Sequence, residues 1–359
     1  MELDKNRYLV NWTDGMKIKK DHFIQSENYY NKQIQSIRYQ YKRNNEFGIL
    51  PSDDGYTSLQ MQLSHDDLVV NKCLAVTGDG SFILIENNQP LRLDAAKINE
   101  LMNALNNNRA GVYIVIQVNT TERVPIGEPD PDEVPLRKPY ATVRYVLDVM
   151  PESQINKDLL STANFAVIGK IISDGAIIRI DDEFIAPCTH VMNNEILSDY
   201  YDRWMVALER TNKNAIMVVN KVLSKNQRLV LDRSIMLLSQ NMMTHISSKI
   251  DYLKHCKKSI SPIELLSFGF GYTRVIRNSI ESIFKNEELI NYICQYIKAD
   301  PSLFKKFIEH DVLGMSYNVL DLNKNFRRMD KLIESFDHIY VTLPSLSYKV
   351  EGDHGLIVE

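Results

Sequence analysis

Asp182-Glu183-Phe184-Ile185-Ala186-Pro187-Cys188 is where the chain changes its character. Nine of the 12 prolines and nine of the 14 glycines precede residue 188; three and five follow. Charge divides at the same place. Residues 1–187 carry 20 basic and 26 acidic side chains, a balance of −6, whereas residues 188–359 carry 22 and 20, a balance of +2. Turn residues spaced between short β-branched runs mark strands, and long stretches free of Gly and Pro mark helices. The expected fold is therefore multidomain, α and β: a β-rich domain over 1–187, a helical domain over 188–337 and a residual segment, 338–359.

Toward the N-terminus the strand candidates are short and separated by turn chemistry. Phe47-Gly48-Ile49-Leu50-Pro51 precedes an Asp53-Asp54-Gly55 turn, and Ser58–Leu63 alternates with period two. Leu68–Ala75 and Ser81–Glu86 flank Thr77-Gly78-Asp79-Gly80, a hairpin signal. Gly111–Asn119 reads as a strand buried on both faces. Val143–Val149, Phe165–Ile172 and Ala176–Ile180 continue the pattern, the last two joined across Ser173-Asp174-Gly175. This spacing predicts a β-sandwich, with helices over Lys20–Lys42 and Ala95–Leu105. Glu122–Pro139 holds five prolines and eight charges, so it reads as a solvated loop, too polar and too broken for a strand.

Toward the C-terminus the helices are legible from their caps and stripes. Ile235, Leu238, Met242, Ile246, Ile250 and Leu253 recur in steps of three and four, as one apolar face requires. Trp204, Leu208, Ile216, Val219 and Leu223 fall on compatible steps within Asn193–Leu223. Ser261-Pro262-Ile263-Glu264 is a capping box with proline at the first helical position. Asp300-Pro301 starts another helix after Leu289–Ile297, and Asp321–Phe336 makes the last one. These segments predict an α-helical bundle. His338–Glu359 returns to β-like composition with Ile339-Tyr340-Val341-Thr342-Leu343.

With 359 residues, 44% hydrophobic and 25% charged, the chain has the composition of a globular protein. A net charge of −4 argues against a dedicated nucleic-acid binder. Cys73, Cys188, Cys256 and Cys294 form no C-x-x-C pair and read as reduced, buried thiols. The charged N-terminus lacks the apolar run of a secretory signal. No apolar run approaches the ~18 residues that span a bilayer. The expectation is a cytoplasmic protein without membrane insertion.

Catalytic motifs are missing: there is no P-loop, G-x-S-x-G or H-E-x-x-H. Asp14, Asp21 and His22 bring two carboxylates near an imidazole, but no further group stands at metal or general-base spacing. Phe268-Gly269-Phe270-Gly271-Tyr272 lies in a helical pattern and reads as a kink or close helix contact rather than a nucleotide loop. No catalytic, cofactor or metal residue is assigned. Lys324, Arg327, Arg328 and Lys331 read first as a solvated helix face and second as a docking patch.

One segment is more particular. Val10-Asn11-Trp12-Thr13-Asp14-Gly15-Met16-Lys17-Ile18, followed by His22-Phe23-Ile24-Gln25, resembles the opening signature of the TssK family, baseplate proteins of type VI secretion systems. Phe47-Gly48-Ile49-Leu50 is similar to that family's Tyr-Gly-Ile strand. The stretch 182–188 resembles its Asp-Phe-Ile-Pro-Pro-Cys junction, with Ala186 in place of a proline. The resemblance implies a homotrimer with a β-sandwich shoulder, a helical neck and a C-terminal head. It also implies a shoulder that meets the wedge proteins TssF and TssG, and a head that docks on the membrane complex. Residues 338–359 are too few for such a head, so the expectation is a short form that reaches the membrane complex by a different contact.

Trp12, Met16 and Phe23 are large apolar anchors among polar residues, packed either in the chain's own core or at a wedge or trimer interface. Gly15 suits a turn. Phe184, Ile185 and Pro187 mark the domain junction. Two other classes stay open on the residues alone: a phage-tail-like receptor-binding module for carbohydrate or a surface protein, and a metal-dependent hydrolase using His22 and nearby acids.

Overall fold

The computed structural model of the chain describes residues 5–41, 46–52, 58–104, 111–174, 177–224, 230–284 and 286–345. They divide into two units, Met1–Thr189 and His190–Glu359. The expected Asp53-Asp54-Gly55 turn, Gly175 and the segment beyond Ser345 lie outside the described residues.

In the first unit, α1 (Lys20–Tyr41) precedes β1 (Gly48–Ile49), β2 (Leu59–Leu63), β3 (Asp67–Val76), β4 (Phe82–Ile85) and β5 (Leu91–Asp94). Strand β3 is the spine of this sheet, because β1, β2, β4 and β5 all pair with it antiparallel. Alternation along β3 puts Leu68 and Val70 inside, fully buried, as period-two patterning requires. The Thr77–Gly80 hairpin joins β3 to β4 with Val76 opposite Phe82. After α2 (Ala95–Ala104) comes a second sheet of β6 (Val112–Ile126), β7 (Tyr140–Pro151), β8 (Phe165–Asp174) and β9 (Ile177–Ile180), with α3 (Lys157–Leu160) between β7 and β8. Its order is β7-β6-β8-β9, antiparallel throughout. Val112–Ile116 is buried at every position. The sheets meet where the Leu84 amide donates to the Tyr145 hydroxyl (3.3 Å) and Lys97 pairs with Asp148 (2.8 Å).

One expectation is corrected here. Glu122–Pro139 is not wholly a loop: β6 continues to Ile126, with Arg123 opposite Val143 and Pro125 opposite Ala141. Strand β8 pairs with β6 only from Val112 to Gln117, so the outer half of β6 has one unpaired edge. An exposed two-stranded ribbon of this kind draws its pairing from the main chain and tolerates polar side chains. A proline is accommodated on its open edge.

The second unit contains α4 (Glu195–Ser224), α5 (Val230–His255), α6 (Pro262–Glu281), α7 (Asn286–Ile297), α8 (Pro301–Lys306), a π-helical turn at Phe307–Leu313 and α9 (Leu322–Thr342). The Ser261 cap forms as its sequence predicts: the Glu264 amide donates to Ser261 Oγ, and the Ser261 amide donates to the Glu264 carboxylate. Side-chain pairs fix the helix directions. Glu209 meets Lys254 while Asp202 meets Lys257, so α4 and α5 are antiparallel. Arg203 meets Asp330 and Arg210 meets Asp337, so α4 and α9 run parallel, in register over two turns. Gly269 faces Met329, and Gly271 faces His245, so the two glycines allow close helix contacts within a continuous α6.

The core of this unit is aromatic. Trp204 stacks on Phe326 with ring centroids 5.4 Å apart, and its Nε1 donates to Asp330 (2.8 Å). A second correction concerns the last described segment. Ile339-Tyr340-Val341-Thr342, read as β-like, completes α9 instead. Phe326, Met329, Ile333, Phe336 and Tyr340 are buried at helical steps, and the Tyr340 hydroxyl meets Ser239 Oγ at 3.0 Å. Burial of one stripe outweighs the strand preference of β-branched residues. No helix among the described residues is long and apolar enough to cross a membrane. All four cysteines are free, and burial pushes the Cys73 and Cys188 thiols up to about 12.

Candidate partner-binding surface

The N-terminal segment turns back at Thr13–Met16, where the Met16 amide donates to the Thr13 carbonyl (3.2 Å). Gly15 holds φ at +76° in this turn, a left-handed conformation that a side chain would resist. The reversal lays Trp12 over the start of α1. Its ring meets His22 edge-on at 5.8 Å and Phe23 at 6.4 Å. His22 is placed by its own helix start, because the Lys19 amide donates to its Nδ1 at 3.4 Å. Trp12, Gly15, Met16, His22 and Phe23 therefore form one feature.

That feature is not core. Trp12 is 51% exposed and Phe23 is 55% exposed. Burial within the chain, the ordinary destiny of such residues, is overturned for both. The sequence reading missed the continuation of this surface: Tyr30, Ile34 and Ile37 are also exposed. Together with Phe23 they step by seven, four and three residues and make one stripe along α1. The signal was present as an apolar stripe in an otherwise polar helix. α1 is tied to the sheets by polar contacts beside this stripe and along it: Gln35 Nε2 donates to Asp79 (2.7 Å) and Ser81 (2.9 Å), and Arg123 pairs with Glu27. Asp14 and Asp21 do not converge with His22 on any further ligand, and no group of three or more His, Cys, Asp or Glu suited to a metal occurs among the described residues.

The junction residues belong to the first unit's interior. Ile185 and Pro187 are buried, and Phe184 packs on Tyr113 at 5.5 Å. The Ile49 amide donates to the Pro187 carbonyl (2.8 Å), and the Thr189 amide donates to Ile49 (3.0 Å). Gly48, with φ at +106°, lies directly against the Pro187 carbonyl, where any Cβ would collide. The Phe47–Leu50 and 182–188 motifs are thus two halves of one junction. Sequence separation hid this.

The basic cluster divides. Arg328 donates to the Asp311 carbonyl (3.4 Å), and Lys331 lies 5.3 Å over the Phe307 ring, so both brace the π-helical turn. Lys324 and Arg327 are exposed.

No protein-family model and no curated protein matches the chain. Solved structures do. A chain of the baseplate complex from the type VI secretion system superposes with a TM-score of 0.57 at 14% identity, covering 92% of this chain and 99% of that one. A chain of the TssK-TssF-TssG baseplate subcomplex gives 0.51 at 14% identity, with 92% and 98% covered. A crystal structure of TssK gives 0.49 at 15% identity, covering 74% of this chain and 60% of that one. The chain has a TssK-like fold.

Proposed function

From that fold, we propose that the chain is a structural adaptor of a type VI secretion baseplate: a homotrimer that joins TssF and TssG wedge proteins to the membrane-anchored complex. The observation that carries this reading is the TssK-like fold, which extends over 92% of the chain. Residues 1–187 then serve as the wedge-facing shoulder, and the helices from residue 188 through Thr342 serve as the trimerising neck. The protein works in the cytoplasm, at the cytoplasmic face of the inner membrane, without enzymatic activity.

Two surfaces support the reading physically. The Trp12, His22 and Phe23 rings are held by one another in the open, and rigid aromatic surface of this kind suits an interface. Val206, Met217 and Leu223 of α4 and Val230 of α5 are exposed apolar side chains on neighbouring helices, suited to a seam around a threefold axis. The exposed Lys324 and Arg327 offer a further docking patch.

Co-expression with TssF and TssG, followed by light scattering, tests the proposal. The expected result is a trimer that co-purifies with the wedge proteins. A chain that stays monomeric at micromolar concentration and retains neither wedge protein overturns it.

A further inference from the structure

The first unit carries a groove and an arm of complementary character. The groove, of about 540 Å³, opens between α1, the β3–β4 hairpin and the base of the β6–β7 ribbon. Its walls include Phe82, Leu84, Thr121 and Val143, and the charged residues lining it among those described, Lys32 and Arg38, are both basic. Arg38 lies 4.9 Å over the Phe82 ring, and Lys32 donates to Gln35 (2.9 Å). Neither pairs with a carboxylate among the described residues. The volume is that of a site for a few side chains.

The arm is the outer half of the same ribbon, with residues 127–139 at its end. Val134 is 97% exposed, Leu136 68% and Tyr140 70%. Just before them stand Glu128, Asp130, Asp132 and Glu133 with no base between. Arg137 holds Glu133 through two hydrogen bonds of 2.7 Å, which leaves the other three acids to the tip. Thr121 lines the groove, and five more residues of β6 carry the chain away from it to Ile126. No residue of 127–139 lines the groove.

We infer that the arm of one copy docks in the groove of a second copy, its acids against Lys32 and Arg38 and its apolar tip against Phe82 and Leu84. The ribbon holds each tip away from its own groove, and the two surfaces match in charge and in apolar character. Contact between two different surfaces is heterologous, and a ring closes it without a free end. The inference rests on the trimer proposed above and adds which surfaces lock the shoulders together.

Two differently tagged chains test it, both in a Cys256→Ser background. One carries Asp132→Cys and the other Thr121→Cys, so a heterotypic adduct formed by a short bis-maleimide joins the arm of one copy to the groove of another. The mixed sample is cross-linked and its mass is measured. The expected result is a trimer with a heterotypic adduct. Arg38→Glu on the groove chain should lower the yield at least fivefold, and Glu128→Arg with Asp130→Arg on the arm chain should restore it. That restoration cannot come from a misfolded groove. A trimer without the adduct overturns arm docking and leaves the trimer standing, whereas a monomer overturns both. An adduct indifferent to the charge reversals overturns the docking mode.

Discussion

The chain has two tryptophans, and they are put to opposite uses. Trp204 is 1% exposed, stacked on Phe326 and hydrogen-bonded through Nε1 to Asp330; Trp12 is 51% exposed, propped between His22 and Phe23. In the helical unit the indole fills space that several helices leave between them, and its one polar atom finds a carboxylate. In the first unit, the indole sits beyond the sheets, where rings alone steady it. Apolar burial stabilises a side chain by ~25 cal/mol per Å² removed from water. A large ring left half in water has forgone much of that stabilisation; under the proposed adaptor role it is free to meet a partner.

Removing the buried member should have the largest effect. Trp204→Ala empties a closed space, leaves Phe326 without its stacking partner and strips Asp330 of a donor, at a cost of about 3–5 kcal/mol. Chemical denaturation followed by circular dichroism reads that loss. Trp204→Phe keeps most of the volume and should cost about 1–3 kcal/mol, mainly through the Asp330 contact. A loss below 1 kcal/mol for Trp204→Ala would break the comparison.

The first unit has its own unforgiving point, at the junction rather than at the aromatic surface. Gly48→Ala combines a left-handed φ of +106° with a collision against the Pro187 carbonyl, and should cost roughly 2–3 kcal/mol. Limited proteolysis should then cut first between residues 47 and 52.

A half-buried histidine of the helical unit gives a pH-dependent test: His245 stacks on Phe268 at 5.2 Å between α5 and α6. Burial, and secondarily the Lys249 charge one turn along, hold its pKa below the usual 6.5, against a hydrogen bond with the Phe268 backbone. The unfolded chain therefore binds this proton more readily than the folded one. Stability is complete above the ordinary value of 6.5 and is lost as pH falls through it. Denaturation midpoints between pH 7.5 and ~5 should decline, and His245→Gln should flatten that decline.

Much of this was legible in the sequence because local chemistry and tertiary demand agree. The Ser261 capping box, the Thr77–Gly80 hairpin and the α5 stripe each specify a backbone state from within a few residues. The misreadings arose where distant partners decide. Glu122–Ile126 is a strand only because residues 140–143 lie beside it. Ile339–Thr342 is helical because Ser239 and its neighbours complete the burial of Tyr340. The Trp12–Gly15–His22–Phe23 cluster was legible as a set of residues. Its exposure was not, since composition cannot say whether a core has room for one more ring.

The smallest stability effect should belong to the residue of greatest functional interest. Trp12→Ala removes two ring contacts at the surface and opens no cavity, so stability should change by no more than ~0.5 kcal/mol. Under the proposed adaptor role, the same substitution should reduce TssF and TssG co-purification at least tenfold, because exposed aromatic anchors concentrate binding energy. Phe23→Ala should act in the same direction, and Trp12→Phe should keep part of the binding. A Trp12→Ala chain that loses stability and wedge capture in proportion would make Trp12 a second Trp204, a residue of the fold and nothing more. A loss of capture alone would separate the two tryptophans by function as sharply as their exposures separate them by position.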